Sequence, residues 1–180
     1  MRPVHYYNER VPRIFDEWPA DALAEYARLL ELVAECGRGS RAAAVRRPPY
    51  GMFELVPRTA AGFPVGALYC FSQDPVSGIE EVLVLCGFAG AAPGVFDEAL
   101  RRMRVRDLPF SGYRPIVHDH DAFLERARSL AGFSEAYAAL EEEYLIARVF
   151  VGARMRAGLT QEDVARAMGT TGSAISRMEN

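Results

Sequence analysis

The sequence contains no lysine, and all 21 of its cationic side chains are arginine. Schiff-base lysine chemistry and the lysine of a phosphate-binding P-loop are therefore excluded. Cysteine is scarce too: Cys36, Cys70 and Cys86 are odd in number, far apart and never in a CxxC pair. Neither a disulfide framework nor a cysteine zinc site is encoded, and the three read as buried thiols in a reducing compartment. No apolar run approaches the ~18 residues needed to span a bilayer, and the opening MRPVHYYNER lacks the apolar stretch of a secretion signal. The expectation is a cytoplasmic protein with no membrane partner. Nor is there an excess of positive charge, since 21 arginines face 24 acids for a net charge of −3. That balance argues against a strongly basic nucleic-acid coat.

What is present is the balance of a globular protein: 180 residues, 50% hydrophobic and 25% charged. That length allows one domain or two small ones. Residues 4–7 are β-branched and aromatic and read as a first strand. Val11, Ile14, Phe15 and Trp18 then fall at helical spacing, with Pro12 in the first turn and Pro19 closing the segment. A second helix over residues 20–36 carries Leu23, Tyr26, Ala27, Leu30, Val33 and Ala34 on one face, and Gly37 ends it. The two helices are expected to form an antiparallel hairpin. After the Pro48-Pro49 loop come three strand-forming runs at residues 52–56, 65–71 and 79–88, whose short turn-like links imply an antiparallel meander. Residues 82–85 are apolar on both faces, as in a central strand. A short helix over 95–103 completes a β-α-α-β-β-β-α unit.

Around residues 107–117 the periodicity stops and Pro, Gly and Ser appear, which marks a linker. Beyond it the pattern is helical, with Phe123, Leu124, Ala127 and Leu130 in one segment. Tyr137, Leu140, Tyr144, Ala147, Val151 and Met155 then share one face of a long helix. The fold class expected is α+β: residues 1–106 with an antiparallel sheet, a linker over 107–117, and an all-α segment over 118–180.

The most specific pattern is LTQEDVARAMGTTGSAISRMEN at residues 159–180. Thr160 can cap a short helix with Asp163 three residues on. Counting Gln161 as the first position, Ala165 is fifth, Gly169 ninth and Ile175 fifteenth. A helix-turn-helix needs a small residue where its helices cross, a glycine in the tight turn and an aliphatic that locks the second helix. The segment resembles the Cro/C1-type (XRE) helix-turn-helix family. The resemblance implies that residues 172–178 lie in the DNA major groove, with Gln161 and Arg177 on phosphates. Thr171, Gly172, Ser173 and Ser176 would lie at or near base edges. Arg154 and Glu179 match an arginine and a glutamate that pair across that fold. Gly172 stands where many relatives carry glutamine for adenine readout.

Residues 119–155 resemble the N-terminal part of HigA-like antitoxins, in which an acidic helix such as residues 137–144 precedes the motif. Glu141-Glu142-Glu143 reads as a solvated face or as a contact for a basic partner. Residues 3–104 in turn resemble RelE/HigB-type toxins of the phage-derived group. The matching pieces are residues 29–37, Met52-Phe53-Glu54-Leu55, Leu68-Tyr69-Cys70-Phe71 and Leu85-Cys86-Gly87-Phe88. Those toxins cleave mRNA on the ribosome by promoting attack of a ribose 2′-OH on the adjacent phosphate, which requires cations and a positioned acid or base. Here Val56 and Gly66 stand where relatives have arginine, Cys86 where they have histidine, and Gly90-Ala91 where they have a lysine pair.

The remaining candidates for RNA contact are Arg46, Arg47 and Tyr50, then Arg58, Arg101 and Arg102. Arg46 and Arg47 read equally as solvated arginines beside a Pro-Pro loop, and residues 101–106 as a helix C-terminus that favours cations. His118-Asp119-His120-Asp121 offers nitrogen and oxygen ligands, but its aspartates are also natural helix N-caps, and no metal or cofactor is expected. The resemblances together imply a type II toxin–antitoxin module in one chain. An attenuated mRNA interferase would contact its own antitoxin-like half intramolecularly, with operator DNA as partner, mRNA and the ribosome as further candidates, and a homodimer left open. The alternative is a DNA-binding regulator on a catalytically dead toxin-fold scaffold. An endoribonuclease activity depends on the first unit being active.

Overall fold

The computed structural model describes residues 1–39, 45–74, 77–108 and 113–179. It is α+β, with a six-stranded mixed sheet in the order β2-β3-β4-β5-β1-β6. The strands are β1 (Val4–Tyr6), β2 (Val45–Arg46), β3 (Met52–Leu55), β4 (Val65–Gln73), β5 (Glu80–Ala89) and β6 (Ile116–Val117). β3, β4 and β5 form the expected antiparallel meander, and the two-residue β2, which the spacing does not predict, adds antiparallel to β3. The sheet as a whole is not antiparallel, however: β1 runs parallel to β5, Val4 opposite Val82 and Tyr6 opposite Val84. β6 then adds antiparallel to β1. The expected linker over 107–117 thus contributes two residues to the sheet edge, and residues 109–112 of it lie outside the described residues.

The first helix is shorter than its spacing predicts. Val11–Ile14 (α1) is a single turn that continues as a 3₁₀ turn through Glu17. It crosses β5 instead of forming a hairpin with the next helix. Gly87 makes that crossing feasible, because a Cβ there would sit 2.8 Å from the Phe15 ring. The 17-residue α2 (Ala20–Cys36) follows Pro19 and ends at Gly37, which has φ +59 and donates its N–H to Val33. α2 is buried on nearly every side, as a helix held between two layers must be.

One of those layers is the sheet. Val82 and Val84 of β5 face the α2 side, together with Phe53, Leu55, Tyr69 and Phe71. On the opposite face Leu83, Leu85 and Cys86 pack under α3 (Val95–Arg106) with Met52, Leu68 and Ala99. The central strand is therefore covered on both faces, which accounts for its unbroken apolar run. The other layer against α2 comes from the C-terminal part. α4 (His120–Arg128), α5 (Phe133–Ala139) and α6 (Glu141–Arg156) supply Phe123, Leu124, Ala127, Phe133, Tyr144 and Val151 to the same core as α2. The long helix expected over 137–155 is broken at Leu140, which caps α5 and starts α6. α7 (Gln161–Ala167) and α8 (Gly172–Met178) close the described chain.

A polar seam accompanies that packing. Arg58 binds the buried Glu25 of α2 at 2.6 Å and Glu143 of α6 at 3.0 Å. The Arg28 guanidinium lies 3.6 Å over the Tyr137 ring, and Arg148 pairs with Glu35. Beside it Tyr6 Oη lies 2.8 Å from His118 Nδ1, His118 Nε2 lies 3.1 Å from His120 Nδ1, and His120 Nε2 lies 2.8 Å from Glu31. With Glu31 as the terminal acceptor one direction satisfies the whole chain: Tyr6 O–H donates to His118, His118 Nε2–H to His120, and His120 Nε2–H to Glu31. Glu31 also accepts from the Tyr137 hydroxyl at 2.5 Å. Burial pushes the His118 pKa down to about 4, and the neighbouring His120 adds to that shift. Although burial opposes ionisation of Glu31, the bonds from His120 and Tyr137 hold its carboxyl below the ordinary value. His118 and His120 are thus hydrogen-bonded, and no cluster able to hold a metal ion occurs among the described residues.

Candidate nucleic-acid interface

The C-terminal site begins with a capping box. Thr160 accepts from the Asp163 N–H at 3.1 Å, and Asp163 accepts from the Thr160 N–H at 2.9 Å. Two donors that the first turn of α7 would leave unpaired are thereby satisfied. The Thr160 hydroxyl and N–H also hold the Asp163 carboxyl below its ordinary pKa. α7 ends in a tight turn at Gly169, whose φ of +64 is the left-handed conformation that glycine adopts without strain. Thr171 then caps α8 by accepting from the Ala174 N–H at 3.2 Å. Ala165 and Ile175 are buried, and α7 packs on α8. The small residue, the glycine and the aliphatic therefore take the places their spacing implies.

An ion pair ties the two short helices to α6. Glu179 is fully buried, and Arg154 grips it through Nε at 2.5 Å and a terminal nitrogen at 3.0 Å. Gln161 donates to the same carboxylate at 2.7 Å, and Arg154 also caps the Leu159 carbonyl at 3.1 Å. A buried carboxylate is tolerated only when paired and hydrogen-bonded, and here three donors meet it. Residues 153–180 match a helix-turn-helix family model. The segment is similar to the Cro/C1-type helix-turn-helix. No curated protein and no solved structure matches the chain.

In the helix-turn-helix, Thr171, Ser173 and Arg177 are exposed on α8, and Gly172 and Ser176 are half-buried. Gln161 differs from the rest, because it is buried and its side chain bonds Glu179. The solvent-facing side of α8 is made of short hydroxyls, Arg177 and the exposed Met178. Gly172 has room for a side chain, since an added Cβ would meet only Glu162 at 3.6 Å. Over residues 153–180 four arginines face three acids, so this segment alone inverts the sign of the chain's net charge.

The N-terminal candidates are spread out and mostly engaged. Arg46 is exposed on the edge strand β2, opposite Glu54 in the ladder. Arg47 donates to the Arg38 carbonyl and lies 5.5 Å from the Phe53 ring. Tyr50 is 64% exposed with φ +67, a left-handed conformation uncommon for a residue with a Cβ. Arg58 belongs to the seam between Glu25 and Glu143. Arg101 and Arg102 share Glu98, and Arg102 donates at 2.5 Å to the Leu85 carbonyl. That carbonyl is available because the β4–β5 register skips Leu85 between the pairs Leu68–Cys86 and Tyr69–Val84. Arg102 thus satisfies a bulge, a role with no signal in local sequence.

Gly66 and Cys86 are closed over by the core. A Cβ on Gly66 would sit 2.3 Å from the Phe88 ring and 3.0 Å from the Leu55 carbonyl, so the aromatic ring occupies the place of a side chain. Cys86 is buried and burial pushes its thiol up to about 11, leaving it a neutral core residue.

Proposed function

We propose that this chain is a DNA-binding transcription regulator in which the α/β unit carries the helix-turn-helix. The observation that supports the reading is the second helix itself: capped at Thr171, locked by Ile175, braced through Arg154 and Glu179, and presenting Ser173 and Arg177 to solvent. Hydroxyl groups contact either donor or acceptor base edges, and an arginine on phosphate positions without specifying. With no side chain at Gly172, recognition relies on Ser173, Ser176 and the shape of the groove. In this reading the chain regulates its own expression, and its operator lies in the DNA just upstream of the reading frame that encodes it. Footprinting of that DNA by the full chain tests the proposal. Protection lost with Ser173→Glu supports it, and uniform cleavage at low salt opposes it.

The seam between α2 and the helices α5 and α6 favours a second reading. In it, residues 1–106 are an attenuated RelE/HigB-like mRNA interferase held by a HigA-like segment over 118–180, joined by the linker 107–117. Glu143 on Arg58 and Arg148 on Glu35 are the contacts that such intramolecular neutralisation would use. A tether keeps such a pair docked at an effective concentration on the order of millimolar. Growth arrest on inducing a full chain with Glu143→Arg and Arg148→Glu, cured by Arg46→Ala with Arg47→Ala, supports this reading. Unchanged growth with a soluble variant leaves the scaffold reading.

A further inference from the structure

α6 has two apolar faces and only one of them is buried. Tyr144, Ala147 and Val151 pack toward α2, whereas Leu145, Ile146 and Val149 are 54%, 62% and 60% exposed. Single exposed aliphatics are ordinary, but three within two turns, continued by Gly152 and Ala153, make a stripe that water disfavours. The charges on the helix are also ordered, acids in the first turn and arginines in the last. Glu143 and Arg154 are taken up by Arg58 and Glu179. Glu142 and Arg156 have no ionic partner among the described residues.

The stripe is symmetric about Val149. Turning the helix end for end about that residue carries Glu142 onto Arg156, Leu145 onto Ala153 and Ile146 onto Gly152. We propose that the chain forms a homodimer by antiparallel pairing of α6 with α6 of a second copy, with the two-fold axis at Val149. Each large side chain then faces a small one, which allows the helix axes to approach to about 8 Å. Each Glu142 faces an Arg156, twice by symmetry. A parallel pairing would instead set acid against acid and arginine against arginine, so the charge order selects the antiparallel arrangement. In the single chain the Arg156 guanidinium covers Gly152, lying 3.2 Å from where its Cβ would be. Swinging out to Glu142 of the second copy both pairs the arginine and uncovers the glycine.

α6 leads directly into the helix-turn-helix, so the dimer carries two copies of it. Only this consequence rests on the DNA-binding reading. The test is sedimentation equilibrium of the full chain from 1 to 100 micromolar, a range about that of modest protein interfaces. A mass twice the 19.9 kDa of the chain is expected. Val149→Arg, at an exposed position, is expected to weaken association by about a hundredfold. Glu142→Arg and Arg156→Glu should each weaken it, and the double variant should restore it. Val149→Cys should cross-link to its own counterpart under mild oxidation, because a residue on the axis meets itself. A monomer at 100 micromolar on the same scale overturns the proposal. So does a dimer indifferent to Val149→Arg and to the charge exchange. A dimer that fails to bind DNA would sink the regulator reading and leave this interface standing.

Discussion

Acidification should destabilise the fold in a defined window, because His118 is buried as a neutral acceptor. Its pKa falls to about 4 in the folded chain from 6.5 in an exposed histidine. Between those values the unfolded chain binds a proton that the folded chain refuses, so stability falls as pH drops from 6.5 toward 4. At 1.36 kcal/mol per pKa unit the loss is at most about 3 kcal/mol. For a chain of this size that is a fall in Tm of about 10 °C. Glu31 acts in the same direction at lower pH, since its lowered pKa means that its contribution disappears only as pH falls below the ordinary carboxylate range. The groups around His118 are Tyr6, His120, Asp119 and Arg126, and the Asp119 charge opposes the shift without cancelling it. The assay is chemical denaturation at pH 7.5, 5.5 and 4.5. His118→Phe should lower stability at neutral pH by about 1 kcal/mol through the lost hydrogen bonds, and should flatten the slope between pH 6.5 and 4. Equal midpoints at pH 7.5 and 4.5, or a slope unchanged in the variant, would show that His118 is not the titrating group.

Arg154→Ala should cost about 3 kcal/mol, because it leaves the buried Glu179 carboxylate short of its ionic partner. Hydrogen exchange should show the loss confined to α7 and α8, whereas global unfolding would contradict a local brace. Gly66→Arg should destabilise by about 1–3 kcal/mol by driving a side chain into Phe88, and should not create RNA cleavage. Stability at the parent level would show that the ring yields. Tyr50→Gly should be neutral or raise stability by up to about 1 kcal/mol by relieving the left-handed backbone. A marked loss in a thermal melt would mean that the Tyr50 ring, 6.3 Å from Phe96, contributes more than the strain costs.

The helix-turn-helix was legible because everything that defines it is local. Thr160 to Asp163 is a capping spacing, and Ala165, Gly169 and Ile175 span scarcely more than two short helices. Short strands carry no such record. Residues 4–6 read as a strand, but nothing in three residues states that β1 lies parallel to β5 or that Ile116–Val117 will pair with it. The break at Leu140 was hidden for a related reason: its backbone remains close to helical, so no proline or glycine marks it. The proton-ordered chain was unreadable because Tyr6 and His118 are 112 residues apart, and His120 and Glu31 are 89 apart. Composition does not say what an arginine pairs with: Arg58 and Arg102 read as candidates for phosphate, and the fold uses them on Glu25, Glu143, Glu98 and a bulge carbonyl.

Whether α8 reads DNA is tested most directly by selecting duplexes from a random pool with the full chain, with Ser173→Glu in parallel and both proteins shown folded by circular dichroism. An enriched sequence is expected with the parent chain and none with the variant. A pool that stays random with the parent chain at low salt would contradict it.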